Sequence, residues 1–235
     1  MADRSLKLAV LIDADNTNHN VAKALFDEIA ALGEANVRRI YGDYTRSELA
    51  GWEKKLATHA LIPTHQPAYV KGKNASDITM VIDAMDLLHK GTVDGFCLVS
   101  SDSDFTRLAQ RIKEEGAVVY GFGEQKTPEA FRAACTRFIY NENLLRGDPD
   151  GEAPVQRRTQ PPSAAVPLIR RAMSELEGED DWVPLGVLGQ RIANANPDFD
   201  ARTYGCQNLS TLVRKTGAFD LNKDEGNRWT VRRKD

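Results

Sequence analysis

Cysteine is scarce in this sequence: Cys97, Cys135 and Cys206 stand far apart and share no paired spacing. That pattern excludes a disulfide framework and a thiolate zinc site, and it fits a reducing compartment. The four histidines, His19, His59, His65 and His89, show no metal-binding spacing with one another or with a cysteine, so they read as ordinary polar residues. No apolar run approaches the length that crosses a bilayer. Nor does the amino-terminal MADRSLKLAV read as a signal peptide, because it enters a strand almost at once. The expectation is a soluble, cytoplasmic protein with no membrane partner. A basic excess is also missing: the net charge is −3, so no global footprint of phosphate binding is present. An acidic site loaded with metal would carry much less negative charge than its sequence suggests. No internal repeat is evident.

What is present is the composition of a folded chain, 41% hydrophobic and 28% charged, long enough at 235 residues for one large domain or two ordinary ones. From residue 6 to about 145, short apolar runs alternate with amphipathic stretches. Residues 6–13 (LKLAVLID), 37–44, 60–66, 95–102 and 117–123 read as strands, and 137–144 adds an edge strand. Helical spacing covers 21–32, 48–60, 76–90, 105–115 and 128–134, with Gly33 and Gly91 as stops. This alternation predicts a three-layer α/β domain with a mainly parallel sheet. Residues 147–162 lose all periodicity and fill with Pro, Gly and polar residues, as a linker does. Beyond it, helices at 166–178, 184–196 and 206–217 precede a hairpin, with Phe219 and Leu221 on one arm and Trp229 and Val231 on the other. Three helices and a hairpin predict a small winged-helix α+β domain. The domain boundaries expected are 1–146, a flexible linker at 147–164, and 165–235.

Ligands of a parallel α/β sheet bind at the carboxyl ends of its strands, where successive loops converge. There the acids gather. Asp13 and Asp15 end the first strand, followed by Asn16. Asp43 ends the second, Asp102 and Asp104 end the fourth, and Asp77 opens the helix before it. Each has a purely structural alternative: Asp77 complements a helix dipole, Asp102 caps the next helix, and Asp15 or Asn16 forms a turn. Capping gives no reason for acids on three separate elements to share one edge. Several carboxylates so placed repel unless a cation joins them, and oxygen-only ligation suits Mg²⁺ or Mn²⁺, with phosphodiester cleavage as the chemistry. Asp83 and Asp86, about two thirds and half a turn around from Asp77, read as packing or solvent residues, with Asp83 in reserve. Asp15 reads as structural and Asp43 as second rank.

Three segments in order, LIDADN, KGKNASDITMVIDAMDLL and LVSSDSDF, resemble the NYN family of PIN-like nucleases over residues 6 to about 142. The resemblance implies a metal-dependent ribonuclease. It carries over Asp13, Asp77, Asp102 and Asp104 as the catalytic and metal-binding acids, and Asn16 as a supporting polar residue. Lys71, Lys73 and Asn74 follow as a flank to the scissile phosphate. In-line attack by an activated water would leave a 3′-hydroxyl and a 5′-phosphate. Residues 166–233, through WVPLGVLGQRI, TYGCQNLSTLVRKTGAFDL and RWTVRR, resemble the OST-HTH (LOTUS) winged-helix family, which implies RNA binding or a protein contact and no catalysis.

The charges of that second segment are less directive. From Ala165 onward there are 11 Lys+Arg and 11 Asp+Glu, although Arg214, Lys215, Arg228, Arg232, Arg233 and Lys234 gather late. Tyr204 and Trp229 read as core residues rather than stacking platforms. Two other functions compete. DADNT (13–17) also fits the DxDxT pattern of haloacid-dehalogenase-like phosphatases, with Asp13 as nucleophile, but SDSDF follows with no lysine step and Asp77 would have no role. Alternatively, an inactive nuclease fold would bind RNA or a regulatory partner, although the presence of all four acids argues against this.

Overall fold

The computed structural model describes residues 5–43, 49–65, 75–145, 159–176, 182–223 and 226–234. The chain divides into two compact units between Ala153 and Pro154, inside the span read as a linker. The end of that span already belongs to the second unit: the Gln160 amide donates to the Thr203 carbonyl, and residues 162–165 form a 3₁₀ turn. No described helix is long and apolar enough to cross a membrane.

The first unit runs β1 (Lys7–Asp13), α1 (Ala22–Leu32), β2 (Glu34–Gly42), α2 (Ala50–Leu56), β3 (Ile62–His65), α3 (Ala75–Lys90) and β4 (Gly95–Val99). It continues with α4 (Thr106–Glu114), β5 (Val118–Gly123), α5 (Glu129–Ala134), β6 (Arg137–Tyr140) and a single helical turn α6 (Asn141–Leu144). The strands form one six-stranded sheet in the order β3-β2-β1-β4-β5-β6, with every pairing parallel. Alternate residues of each strand feed two cores. Ala9, Leu11, Phe96 and Leu98 pack against α3, α4 and α5. Leu8, Val10, Ile12, Cys97 and Val99 pack against α1 and α2 on the other face. A sheet covered on both faces explains why β1 and β4 are almost entirely apolar. This is the three-layer α/β architecture expected from the sequence, with β6 at the edge.

The chain moves outward from β1 through β2 to β3, then returns to β4 and moves outward the other way. The crevice beyond β1 and β4 is therefore the topological switch point, where ligands of such sheets bind. Two glycines shape the surroundings. Gly33 joins α1 to β2 with no loop between, because β2 starts three residues earlier than its apolar pattern suggests. A Cβ at Gly33 would lie 2.4 Å from the Leu6 carbonyl oxygen. Gly91 closes α3 in the left-handed conformation, with φ +61°, which glycine adopts without a Cβ clash.

The second unit contains α7 (Val166–Ser174), β7 (Val183–Pro184), α8 (Leu185–Ala195), α9 (Leu209–Thr216), β8 (Phe219–Lys223) and β9 (Trp229–Arg233). Its helices enclose a core of Ile169, Met173, Leu188, Ile192, Leu212 and Val213. The predicted hairpin is the antiparallel β8–β9 pair, and the short β7 adds a third strand on the far side of β9. Asn208 caps α9 by accepting from the Thr211 amide, and Gly217 ends it at φ +71°. Tyr204 packs against the core as expected. Trp229 differs: it is half-buried beside Arg214 and Lys223 rather than inside the core. Val231, two residues on, is the residue of β9 that reaches the core centre.

Candidate active site

Asp13 is the last residue of β1 and is almost wholly buried, with 1% exposure. It stays in phase with Ala9 and Leu11, so it faces the side of the sheet covered by α3. A carboxyl group buried this way survives only with partners. One oxygen accepts from Ser100 Oγ at 2.7 Å and from Asn16 Nδ2 at 2.9 Å; the other accepts from the Asn16 amide at 3.3 Å. Burial pushes the Asp13 carboxyl above its ordinary pKa, and the bonds from Ser100 and Asn16 pull against that rise without cancelling it.

Ser100 follows β4 and is fully buried. Besides donating to Asp13, its oxygen accepts from the Asp102 amide at 3.0 Å. One hydroxyl thus ties the ends of the two central strands together and aims the backbone that carries Asp102. The Asp102 side chain accepts from the Asp104 amide at 2.9 Å and caps a 3₁₀ turn at Ser103–Phe105, so the capping role foreseen for it is real. Asp104 is exposed on that turn.

Asp77 lies in the first turn of α3. Its pKa rises to about 6, first through burial and then through the negative charges of Asp13, Asp102, Asp15 and Asp104, in that order. Five carboxylates from three chain segments therefore share one electrostatic space. Asp15 is among them, although its sequence position reads as a turn: it is exposed, and Ser76 Oγ donates to it at 3.3 Å. Its neighbour Asn16 is the anchor of Asp13 just described.

The remaining acids lie elsewhere. Asp83, on α3, accepts from the Tyr41 hydroxyl at 2.8 Å and pairs with Arg39 at 2.7 Å, clasping α3 to β2. The buried Tyr41 phenol is pushed well above its usual pKa by burial and by that carboxylate. Asp86 is exposed on the same helix. Asp43 follows β2 and is half-buried. Lys71, Lys73 and Asn74 lie outside the described residues.

A cleft of about 860 Å³ opens beside the acids, lined by Asp15, Asn16, His19, Trp52, Asp102 and Lys126 among others. Its floor is held by the loop after β1. Trp52 Nε1 donates to the Thr17 carbonyl at 2.9 Å, and Thr17 Oγ1 donates to the Val99 carbonyl at 3.2 Å. Lys126 is an exposed cation on this rim, 2.8 Å from Glu124. Sequence reasoning missed Ser100 and Lys126. A serine at the end of the apolar run GFCLV was a legible signal for the first. For the second there was none, because the loop after β5 meets the loop after β4 only in the folded sheet, where the Glu124 amide donates to Ser101 Oγ at 2.9 Å.

The all-oxygen donor set fits a hard divalent cation, and the mutual repulsion at Asp77 is the charge imbalance such an ion would relieve. Among the described residues, no three acidic, histidine or cysteine side chains converge into a ready-made cage. The two observations agree if the ion keeps much of its hydration, since Mg²⁺ commonly takes only one or two carboxylates directly.

Comparison with known proteins follows the same division of the chain. The family model for the NYN domain matches residues 7–145, and that for the OST-HTH/LOTUS domain matches residues 159–231. A crystal structure of a protein of unknown function from Vibrio parahaemolyticus is 20% identical, covering 60% of this chain and 95% of that one, with a TM-score of 0.49. A solution structure of an uncharacterized protein from Nitrosomonas europaea is 26% identical, covering 37% of this chain and 86% of that one, with a TM-score of 0.28. No curated protein matches. NYN domains are nuclease domains of the PIN-like type, and OST-HTH/LOTUS domains bind RNA. The chain belongs to the NYN domain family, its nuclease-type domain followed by an OST-HTH/LOTUS domain.

Proposed function

We propose that the protein is a metal-dependent ribonuclease that hydrolyses RNA phosphodiester bonds at the crevice beyond β1 and β4, with the second unit holding the RNA. One arrangement supports this reading: at the switch point of the sheet Ser100 joins Asp13 to the Asp102 backbone and Ser76 joins the start of α3 to Asp15, so that the Asp77 charge, already disfavoured by burial, also meets the charges of the acids after β1 and β4. Asp13, Asp77, Asp102 and Asp104 would hold Mg²⁺ or Mn²⁺. The bound ion would offset the crowded charge, stabilise charge developing on the phosphodiester and lower the pKa of a water. The chain's own residues set the geometry. Ser100 and Asn16 fix the Asp13 carboxylate, and Asp102 and Asp104 border the site from the β4 side. Lys126, on the rim of the cleft, would meet a backbone phosphate; Lys71, Lys73 and Asn74, which the NYN resemblance implies as a flank to the scissile phosphate, lie outside the described residues.

The phosphatase alternative gives Asp77 no role, although Asp77 shares one electrostatic space with Asp13. The test incubates the purified protein with single-stranded and structured RNA, in Mg²⁺, Mn²⁺ or EDTA. Metal-dependent cleavage is expected, and Asp13→Asn and Asp102→Asn should each abolish it. Absence of metal-dependent cleavage, or equal cutting by the variants, would leave an RNA-binding protein without catalysis.

A further inference from the structure

The late cluster of basic residues in the second unit does not stay together in the fold. Arg232 pairs with Asp220 at 3.2 Å and stacks on Trp182, and Arg233 donates to the Arg170 carbonyl. Those two serve the unit's own structure. A different pair of cations converges instead. Arg214, on the last turn of α9, lies 5.6 Å from the centre of the Trp229 ring, and Lys223, at the end of β8, lies 5.1 Å from it.

The register explains the meeting. Lys223 pairs directly with Trp229 across the hairpin, and Leu221 pairs with Val231. Since side chains alternate along a strand, Trp229 and Lys223 continue the face that buries Phe219 and Val231. They do so past the end of the core, in the angle between α9 and the hairpin. Arg214 and Lys223 are exposed there and Trp229 is half-buried.

Two cations gathered on one aromatic ring attract the ring and repel each other. Lys223 Nζ also donates to the neutral Asn227 Oδ1 at 2.7 Å. A ligand that offers a flat π-face with an anion on either side complements the ring and both charges, and an unpaired nucleotide within an RNA strand has that chemistry. We propose that Trp229 stacks on one unpaired base of single-stranded RNA while Arg214 and Lys223 take the phosphates on either side of it. The base takes the ring face, and the cations, on long flexible stems, follow the phosphates. Paired bases cannot reach the ring, so the site discriminates against duplex. The inference rests on the reading of the second unit as an RNA-binding module and adds the residues and the strandedness.

The test uses the full chain in EDTA, with a twelve-nucleotide oligouridylate and an RNA duplex of equal length, followed by tryptophan emission and by titration at several salt concentrations. The single strand should quench emission and the duplex should not. Trp229→Leu should remove the part of that quench that Trp229 carries, leaving only what RNA at the Trp52-lined cleft contributes, and should weaken binding about tenfold, within the range for loss of one base–aromatic stack. The double variant Arg214→Ala with Lys223→Ala alters only exposed side chains. It should reduce the slope of log K against log salt by about 1.4, the release expected for two single-strand phosphates. If the full chain binds no single-stranded RNA, the RNA reading of the module fails and the inference with it. If the chain binds and both variants keep its affinity, quench and salt slope, only the assignment to Trp229 is overturned. Equal quenching by duplex overturns it as well, as does displacement of the RNA by an acidic peptide that does not depend on Arg214 and Lys223.

Discussion

Replacing Asp77 with asparagine removes a charge that burial opposes first and four other carboxylates oppose further, so the metal-free protein should become more stable at neutral pH. The Asp77 carboxyl titrates at about 6 in the fold against an ordinary value of 3.8. At about 1.4 kcal/mol per pKa unit, the penalty for ionising it in the folded state has an upper bound of about 3 kcal/mol. Asp77 is only half-buried, and solvent screening reduces that figure to about 1.5 kcal/mol. Its place in the first turn of α3 returns about 0.5 kcal/mol through the helix dipole, which asparagine would lose. The expected gain is about 1 kcal/mol, or a Tm rise of about 2–4 °C for a chain of this size.

The sign follows from where the proton sits. Between pH 3.8 and about 6 the folded protein holds the proton more tightly than the unfolded chain, so this group's contribution to stability falls as pH rises through that window. The asparagine variant has no such slope. The difference between the two proteins should vanish below about pH 4 and be complete by pH 7.5. Thermal melts in EDTA at pH 4 and pH 7.5 measure it. Adding Mg²⁺ at pH 7.5 should then stabilise the wild type more than the variant and narrow or reverse the order, because an ion that binds only the native site stabilises by mass action. No gain at pH 7.5, or the same gain at both pH values, would refute the claim that burial and the neighbouring acids hold the Asp77 carboxyl above its ordinary value.

Three further changes probe other parts of the site. Ser100→Ala removes the hydroxyl bridging Asp13 and the Asp102 amide, which should cost about 2–3 kcal/mol in denaturant unfolding and reduce cleavage at least about tenfold, in the range of a misplaced catalytic group. Tyr41→Phe removes one bond to Asp83 while Arg39 remains, so about 1 kcal/mol should be lost with cleavage unchanged. A large loss of cleavage would bring Asp83 into the site. Lys126→Ala should raise KM for RNA and leave kcat nearly unchanged, the pattern of uniform binding; an unaltered KM would remove Lys126 from the substrate path.

Much of this protein is legible along the chain because it depends on near neighbours. The apolar runs of β1 and β4 announce strands buried on both faces. Gly91 and Gly217 mark helix ends, and the loss of periodicity after residue 146 falls where the chain divides into two units. The acids at strand ends could be named from position alone, since a parallel sheet sends those ends to one edge. Their partners could not. That Asp15 acts on Asp77 while Asp83 turns to Tyr41 and Arg39 depends on how α3 seats on β1 and β2. Ser100 gains its role only when β4 lies beside β1, and Lys126 reaches the cleft only when β5 lies beside β4. In the second unit the sequence shows a run of basic residues near the end, yet the hairpin register hands Lys223 to Trp229 and turns Arg232 and Arg233 to structural partners. Local pattern determines elements because hydrophobic periodicity and turn chemistry act over a few residues. Electrostatic company and hydrogen-bond partners span the chain, and only the packed fold decides them.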